Sequence, residues 1–119
     1  MYKLVILIEP QDDAAHFDSR WPLFLAEAER MPGLRREVTS HIDRVLHGSY
    51  PIHMIHELYF DSLAAVAEAM GSPAGERAGQ VLQEITAGKV TLLFADHLQD
   101  DLAHFRRGAV DDAPPGDRA

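Results

Sequence analysis

Cysteine is absent from all 119 residues. That excludes disulfide frameworks, thiolate nucleophiles, iron–sulfur clusters and zinc ribbons. Long apolar runs are also missing. The first, Leu4 to Ile8, stops at Glu9, too short for a signal-peptide core or a membrane span. Basic residues are scarce, 11 Lys and Arg against 19 Asp and Glu, for a net charge of −8. The deficit is shared by residues 1–96 (8 against 14) and 97–119 (3 against 5). Arg35-Arg36 is a basic pair, far short of a patch that holds phosphate backbones or anionic lipid. No nucleic acid and no membrane is the expectation for partners, and the cytoplasm for location. No Gly-rich phosphate loop follows a strand, because the first strand runs into Glu9-Pro10-Gln11. No cofactor is expected.

What is present is an ordinary globular balance, 46% hydrophobic and 25% charged, enough for one domain with its own core. Residues 2–8 are apolar on both parities, the mark of a strand covered on both faces. Asp12-Asp13 offer an N-cap, and Phe17, Trp21, Leu25, Ala28 and Met31 recur at helical spacing up to Pro32-Gly33. Pro22 lies inside that pattern and predicts a kink or a restart. Residues 34–46 alternate, with Leu34, Val38 and Ile42 on the apolar parity and Glu37, Thr39 and His41 on the other, which predicts a strand. A turn at 47–51 and a further strand at 52–60 follow. Asp61 is the expected N-cap of the next helix. Ser72 and Pro73 restart it after Gly71, and Gly88 stops it. Residues 90–95 are a last strand, apolar on both faces.

The order β-α-β-β-α-β is the ferredoxin-like plan, an α+β fold with a four-stranded antiparallel sheet and helices on one face. The other face carries too much apolar surface to stay in water, and a second copy of the chain is the economical cover. Residues 1–96 form the domain. Residues 97–119 form an extension in which Leu98, Leu102 and Phe105 suit a short helical turn. The stretch beyond Arg107 has the polar, Pro/Gly-rich composition of disorder.

Met1 to Leu7, Phe17 with Trp21, Met31-Pro-Gly-Leu-Arg-Arg36, Glu57-Leu-Tyr-Phe-Asp-Ser62 and Gly88 to Ala95 stand in the order and spacing seen in EthD-like proteins. Over residues 1–96 the chain resembles that family of the dimeric α+β barrel superfamily. The resemblance implies a ferredoxin-like fold and a homodimer with its sheets face to face. It also implies a link to degradative or biosynthetic pathways, among relatives that include cofactor-free monooxygenases, cyclases and isomerases of aromatic or polyketide-like molecules. Many members place a His in the first helix just before a Pro-Leu pair. Trp21-Pro-Leu-Phe-Leu-Ala-Glu-Ala-Glu-Arg30 has none, so no acid/base role transfers to that position.

Matching apolar parities of the two middle strands pairs Val38 with Phe60 and Ile42 with His56. His41 then lies opposite Glu57 and Thr39 opposite Tyr59, on the face away from the helices. Directly opposed Cβ atoms are about 5 Å apart. His41 as base, Glu57 as its carboxylate partner and Tyr59 as donor to an oxyanion are therefore the candidate catalytic residues, against the reading of a cross-strand polar pair at a dimer interface. Trp21, Thr39, His53 and Ile55 are the candidate ligand contacts. His53 and His56, three apart on a strand, face opposite ways and cannot chelate one ion; no metal site is expected, and His56 reads as a hydrogen-bonded core or edge histidine. Three functions stay open. The chain binds a small, largely apolar ligand, it transforms one as a monooxygenase, cyclase or isomerase, or it is a non-catalytic structural dimer. An RNA-recognition module shares the topology but needs exposed aromatics and basic flanks.

Overall fold

The structure is a computed structural model and describes residues 1–99. The chain order is β1 (Tyr2–Ile8), α1 (Ala14–Ala28), β2 (Arg36–His41), β3 (Met54–Phe60), α2 (Leu63–Gly71), α3 (Pro73–Thr86) and β4 (Val90–Asp96). The strands form one antiparallel sheet in the order β2-β3-β1-β4. All three helices lie on one face. Leu4, Ile6 and Ile8 of β1 meet Met54, Leu58 and Phe60 of β3 there, under Phe17, Phe24 and Ala28 of α1, Val66 of α2 and Leu82 and Ile85 of α3. The expected ferredoxin-like fold is what forms, with its second helical block divided in two.

The division is written in local chemistry. The Ser72 side chain accepts the Gly75 N–H as N-cap of α3, with Pro73 next to it, and its hydroxyl donates to the Ala69 carbonyl of α2. At the start of α1 the Asp13 side chain accepts the His16 N–H. α3 ends at Ala87 and Gly88, both at positive φ, where glycine is the unstrained choice.

Three local expectations are corrected. α1 runs through Pro22 without restarting; Pro22 is on the exposed side, and one lost backbone bond is outweighed by the burial of Phe17, Phe24 and Ala28 around it. The cap of α2 is Ser62, whose side chain accepts the Ala65 N–H, and not Asp61; Asp61 is held instead by the Arg35 guanidinium at 2.8 Å. The largest correction is the β2–β3 register. His41 pairs with Met54, Thr39 with His56, Val38 with Glu57 and Arg36 with Tyr59. That is three residues from the expected pairing, an odd shift, so every β2 side chain changes face. β3 has the expected facing, with His56 toward the helices. On β2, Glu37, Thr39 and His41 face the helices, while Arg36, Val38 and Ser40 face out. The polar side chains are tolerated there because β2 is an edge strand and because a buried imidazole needs them. The expected helical turn through Leu102 and Phe105, and the tail beyond Arg107, lie outside the described residues.

Candidate functional site

The register brings a polar chain under α1. His56 is fully buried, and both of its ring nitrogens have partners. Nδ1 is 2.8 Å from the Thr39 hydroxyl and Nε2 is 3.1 Å from a Glu37 carboxyl oxygen. The ring is boxed by Trp21 and Phe24, edge to face, with centroids 5.2 and 5.8 Å away. Burial disfavours the imidazolium and pushes His56 down to about 4, against the smaller opposite pull of Glu29 and Glu57. Burial also pushes Glu37 up to about 7, helped by a hydrogen bond and like-charge repulsion with Glu29. The close approach of His56 to Glu37 has the look of an ion pair, yet both groups favour the neutral form because both are drawn out of water. Below about pH 7 the Glu37 O–H donates to Nε2, and Nδ1–H donates to Thr39. Above it the carboxylate accepts Nε2–H, and Nδ1 accepts the Thr39 hydroxyl proton.

Beside this chain a cleft of about 430 Å³ opens at the β2–β3 end of the sheet. Phe17, Asp18 and Trp21 line it from α1, and His41, His53 and Met54 from the strands. Its size falls within the roughly 300–1,000 Å³ of small-molecule sites. Phe17 stacks on Trp21 and Trp21 on Phe24, with centroids 5.4 and 4.9 Å apart, and His53 stands edge-on to Phe17. The cleft thus has aromatic walls and two imidazoles. Among the described residues no three His, Asp or Glu side chains gather as a metal ligand set.

On the opposite face of the sheet Glu57 is ion-paired with Lys3, which holds the ammonium above its ordinary range. Tyr59 is buried beneath the Arg36 guanidinium, 4.3 Å from its ring centroid, and the His97 ring at 4.9 Å. Val38, Leu7 and Ile55 are half-buried on this face, and Leu93 is 43% exposed. Among the described residues no helix is long and apolar enough to cross a membrane.

The sequence-derived candidates therefore divide into three groups. Trp21, His41 and His53 share the cleft. Thr39 stands beside it on the same face of β2 as His41, bonded to His56. Ile55, Glu57 and Tyr59 lie on the other face, so the structure separates His41 from Glu57 and Tyr59. The cause is the odd shift of register. Sequence reasoning missed Glu37 as a partner of His56; the available signal was that a histidine on the core parity of β3 requires polar neighbours, and only Glu37, Thr39 and His41 on β2 could supply them.

No family model matches the chain. An uncharacterized 11.0 kDa protein from the thcB–thcC intergenic region of Rhodococcus erythropolis is 30% identical over 98 residues, spanning 81% of this chain and 94% of that protein. Among solved structures, an ethyl tert-butyl ether D (EthD) family protein from Bacillus halodurans superposes with a TM-score of 0.76 at 23% identity, over 82% of this chain and 99% of its own. A dimeric ferredoxin-like protein of unknown function from Jannaschia gives 0.60 at 19%, over 81% and 97%. A putative antibiotic biosynthesis monooxygenase from Caulobacter crescentus gives 0.57 at 19%, over 82% and 90%. These likenesses carry the EthD-like, ferredoxin-like fold.

Proposed function

Because this chain belongs to the family of the uncharacterized Rhodococcus erythropolis protein and has the EthD-like fold, we propose that it binds a compact, largely apolar molecule, aromatic or polyketide-like, in the cleft between α1 and the β2–β3 end of the sheet. The observation that carries this reading is the aromatic wall of Phe17 and Trp21 facing His41 and His53 across one cavity. Stacking surface selects a flat ring, and two imidazoles address a phenol or enol hydroxyl.

Trp21 is the single tryptophan, so the protein reports its own occupancy. Titration with a hydroxylated naphthalene is expected to quench and shift Trp21 emission. Trp21→Ala, read by calorimetry, is expected to weaken binding by about tenfold or more, consistent with losing roughly 1.5–3 kcal/mol of apolar burial. Unchanged emission and no heat across a panel of one- to three-ring phenols would sink the assignment.

A second reading is catalytic and rests on the two imidazoles. His41, with His53, moves a proton on the bound ligand, as a cofactor-free monooxygenase, cyclase or isomerase requires. His41→Ala separates the two: turnover lost with binding kept favours the enzyme, and function intact favours a non-catalytic dimer.

The active form in this reading is a homodimer joined through the open sheet face, where Leu7, Val38, Ile55 and Leu93 supply apolar surface. Glu57, Tyr59, Lys3 and Arg36 then become interface groups. The facing of these residues and the dimeric Jannaschia relative support it. Leu93→Arg is expected to give the mass of one chain in sedimentation equilibrium, where the natural protein gives two. A natural protein that sediments as a single chain at micromolar concentration would overturn the dimer.

A further inference from the structure

We propose that Thr39 is a nucleophile, activated by His56 and oriented through Glu37, that accepts the acyl group of a small ester. The geometry has the three parts such a site needs. The nucleophile is on the exposed rim of edge strand β2. Its hydroxyl lies 2.8 Å from the base nitrogen, and the other nitrogen of that base lies 3.1 Å from a carboxyl group. The sheet enforces the arrangement. Glu37 and Thr39 are two apart on β2 and so share a face, while Thr39 stands directly opposite His56 in the ladder. Trp21 and Phe24, stacked on each other, both pack edge to face against the imidazole and support it in this position. Both ring nitrogens are engaged, and the Thr39 hydroxyl on Nδ1 stands at the exposed rim, which gives the imidazole a route to pass a proton.

The chemistry balances without any further reactant except water. Thr39 Oγ forms a bond to the ester carbonyl carbon, and its proton passes to His56 Nδ1. The resulting imidazolium is held by the Glu37 carboxylate on Nε2. The C–O bond of the ester breaks, its electron pair leaves with the alkoxide or phenolate, and that oxygen takes the proton from Nδ1. Water then adds to the acyl-threonine, giving a proton to Nδ1, and Thr39 Oγ leaves and recovers it. The apolar part of the ester has a seat next to Thr39, where His41, two residues along the same face, and Trp21 line the cleft. Only that seat rests on the ligand-binding reading; the triad does not.

Protonation sets when the device works. Glu37 from β2 bonds the ring, while Glu29 just after α1 and Glu57, next to it on the opposite face of β3, act on it through charge alone. With Glu37 ionised, Thr39 donates to Nδ1 and is activated; with Glu37 protonated, Thr39 accepts from Nδ1 and is not.

The test uses the full chain, p-nitrophenyl acetate as acyl donor and a phosphonofluoridate as covalent probe. One adduct per chain is expected on Thr39 by peptide mass mapping, present in Thr39→Ser, which keeps the hydroxyl on His56, and absent in Thr39→Val, whose fold is checked by circular dichroism. Release of p-nitrophenolate should fall about 100-fold or more in Thr39→Val. In the natural chain it should rise through about pH 7, and Glu37→Gln should remove that rise. An adduct mapped elsewhere, or release undiminished in Thr39→Val, overturns the proposal. Trp21 emission, read in the same samples, reports the cleft separately, so failure of ligand binding and failure of the triad are distinguishable.

Discussion

Gly75→Ala is expected to be among the most damaging single substitutions in this chain. An added Cβ would stand 2.1 Å from the Ala69 carbonyl oxygen and 2.7 Å from that of Met70. Both are backbone atoms at the end of α2 and cannot rotate away. The first turn of α3 lies this close because Ser72 closes α2 and opens α3 at once, leaving no linker to absorb a shift. Relief requires moving α3, and α3 carries Ala78, Leu82 and Ile85 into the core. The expected cost is about 3 kcal/mol or more, read as a Tm lower by about 12 °C or more at roughly 4–8 °C per kcal/mol. Gly79→Ala, one turn further along the same helix and with nothing within 4 Å of the added atom, is the control. It should stabilise by about 0.5–1 kcal/mol, because alanine loses less backbone freedom in a helix. A Gly75→Ala protein as stable as the natural one would mean that the two helices are not joined in this way.

The second large effect is a pH dependence that the natural protein conceals. The folded chain holds His56 down at about 4 against an ordinary 6.5. Between those values the unfolded chain takes up a proton that the folded chain refuses, so stability falls as pH drops from 6.5 to 4. Glu37 works the other way. Raised to about 7 from an ordinary 4.5, it keeps a proton in the folded chain that the unfolded chain releases, so stability falls as pH rises from 4.5 to 7. Over their shared window, about pH 4.5 to 6.5, the two slopes oppose, and their joint contribution is nearly flat. Glu37→Gln removes one of them. Relative to the natural protein, its urea-unfolding free energy should fall with decreasing pH, by up to about 3 kcal/mol if His56 keeps its full depression. His56→Gln should show the opposite slope, losing stability as pH rises toward 7. Parallel profiles in all three proteins would show that the buried imidazole and its carboxyl partner do not titrate as a unit.

Both predictions come from opposite ends of what was legible in the chain. The junction at Ser72 was fully local: a serine, a proline and two glycines within five residues specify a helix stop and a helix start through their own hydrogen bonds. The strands were legible for the same reason, since β1 and β4 are apolar on both parities and β3 is apolar on one, whatever they pair with. The restart expected at Pro22 does not occur because the proline's cost is local while its compensation, the burial of Phe17, Phe24 and Ala28, is not. The β2 face was misread for a related reason. Val38 and Ile42 outline one apolar parity so weakly that a single buried histidine on the neighbouring strand could reverse it.

The alternation of hydrophobic and polar residues, the caps and the turn residues determined by themselves that this chain is a ferredoxin-like α+β domain with a histidine in its third strand. Each of those signals acts within a few residues, through the backbone's own hydrogen bonds and the burial of one side of an element. Only the tertiary structure decided which polar groups meet. Pairing shifted by an odd number of residues exchanges the two faces of a strand at little cost in backbone bonding, and the preference is settled by satisfying the buried His56 with Glu37 and Thr39. That choice took His41 away from Glu57 and set Thr39 and Glu37 against the buried imidazole.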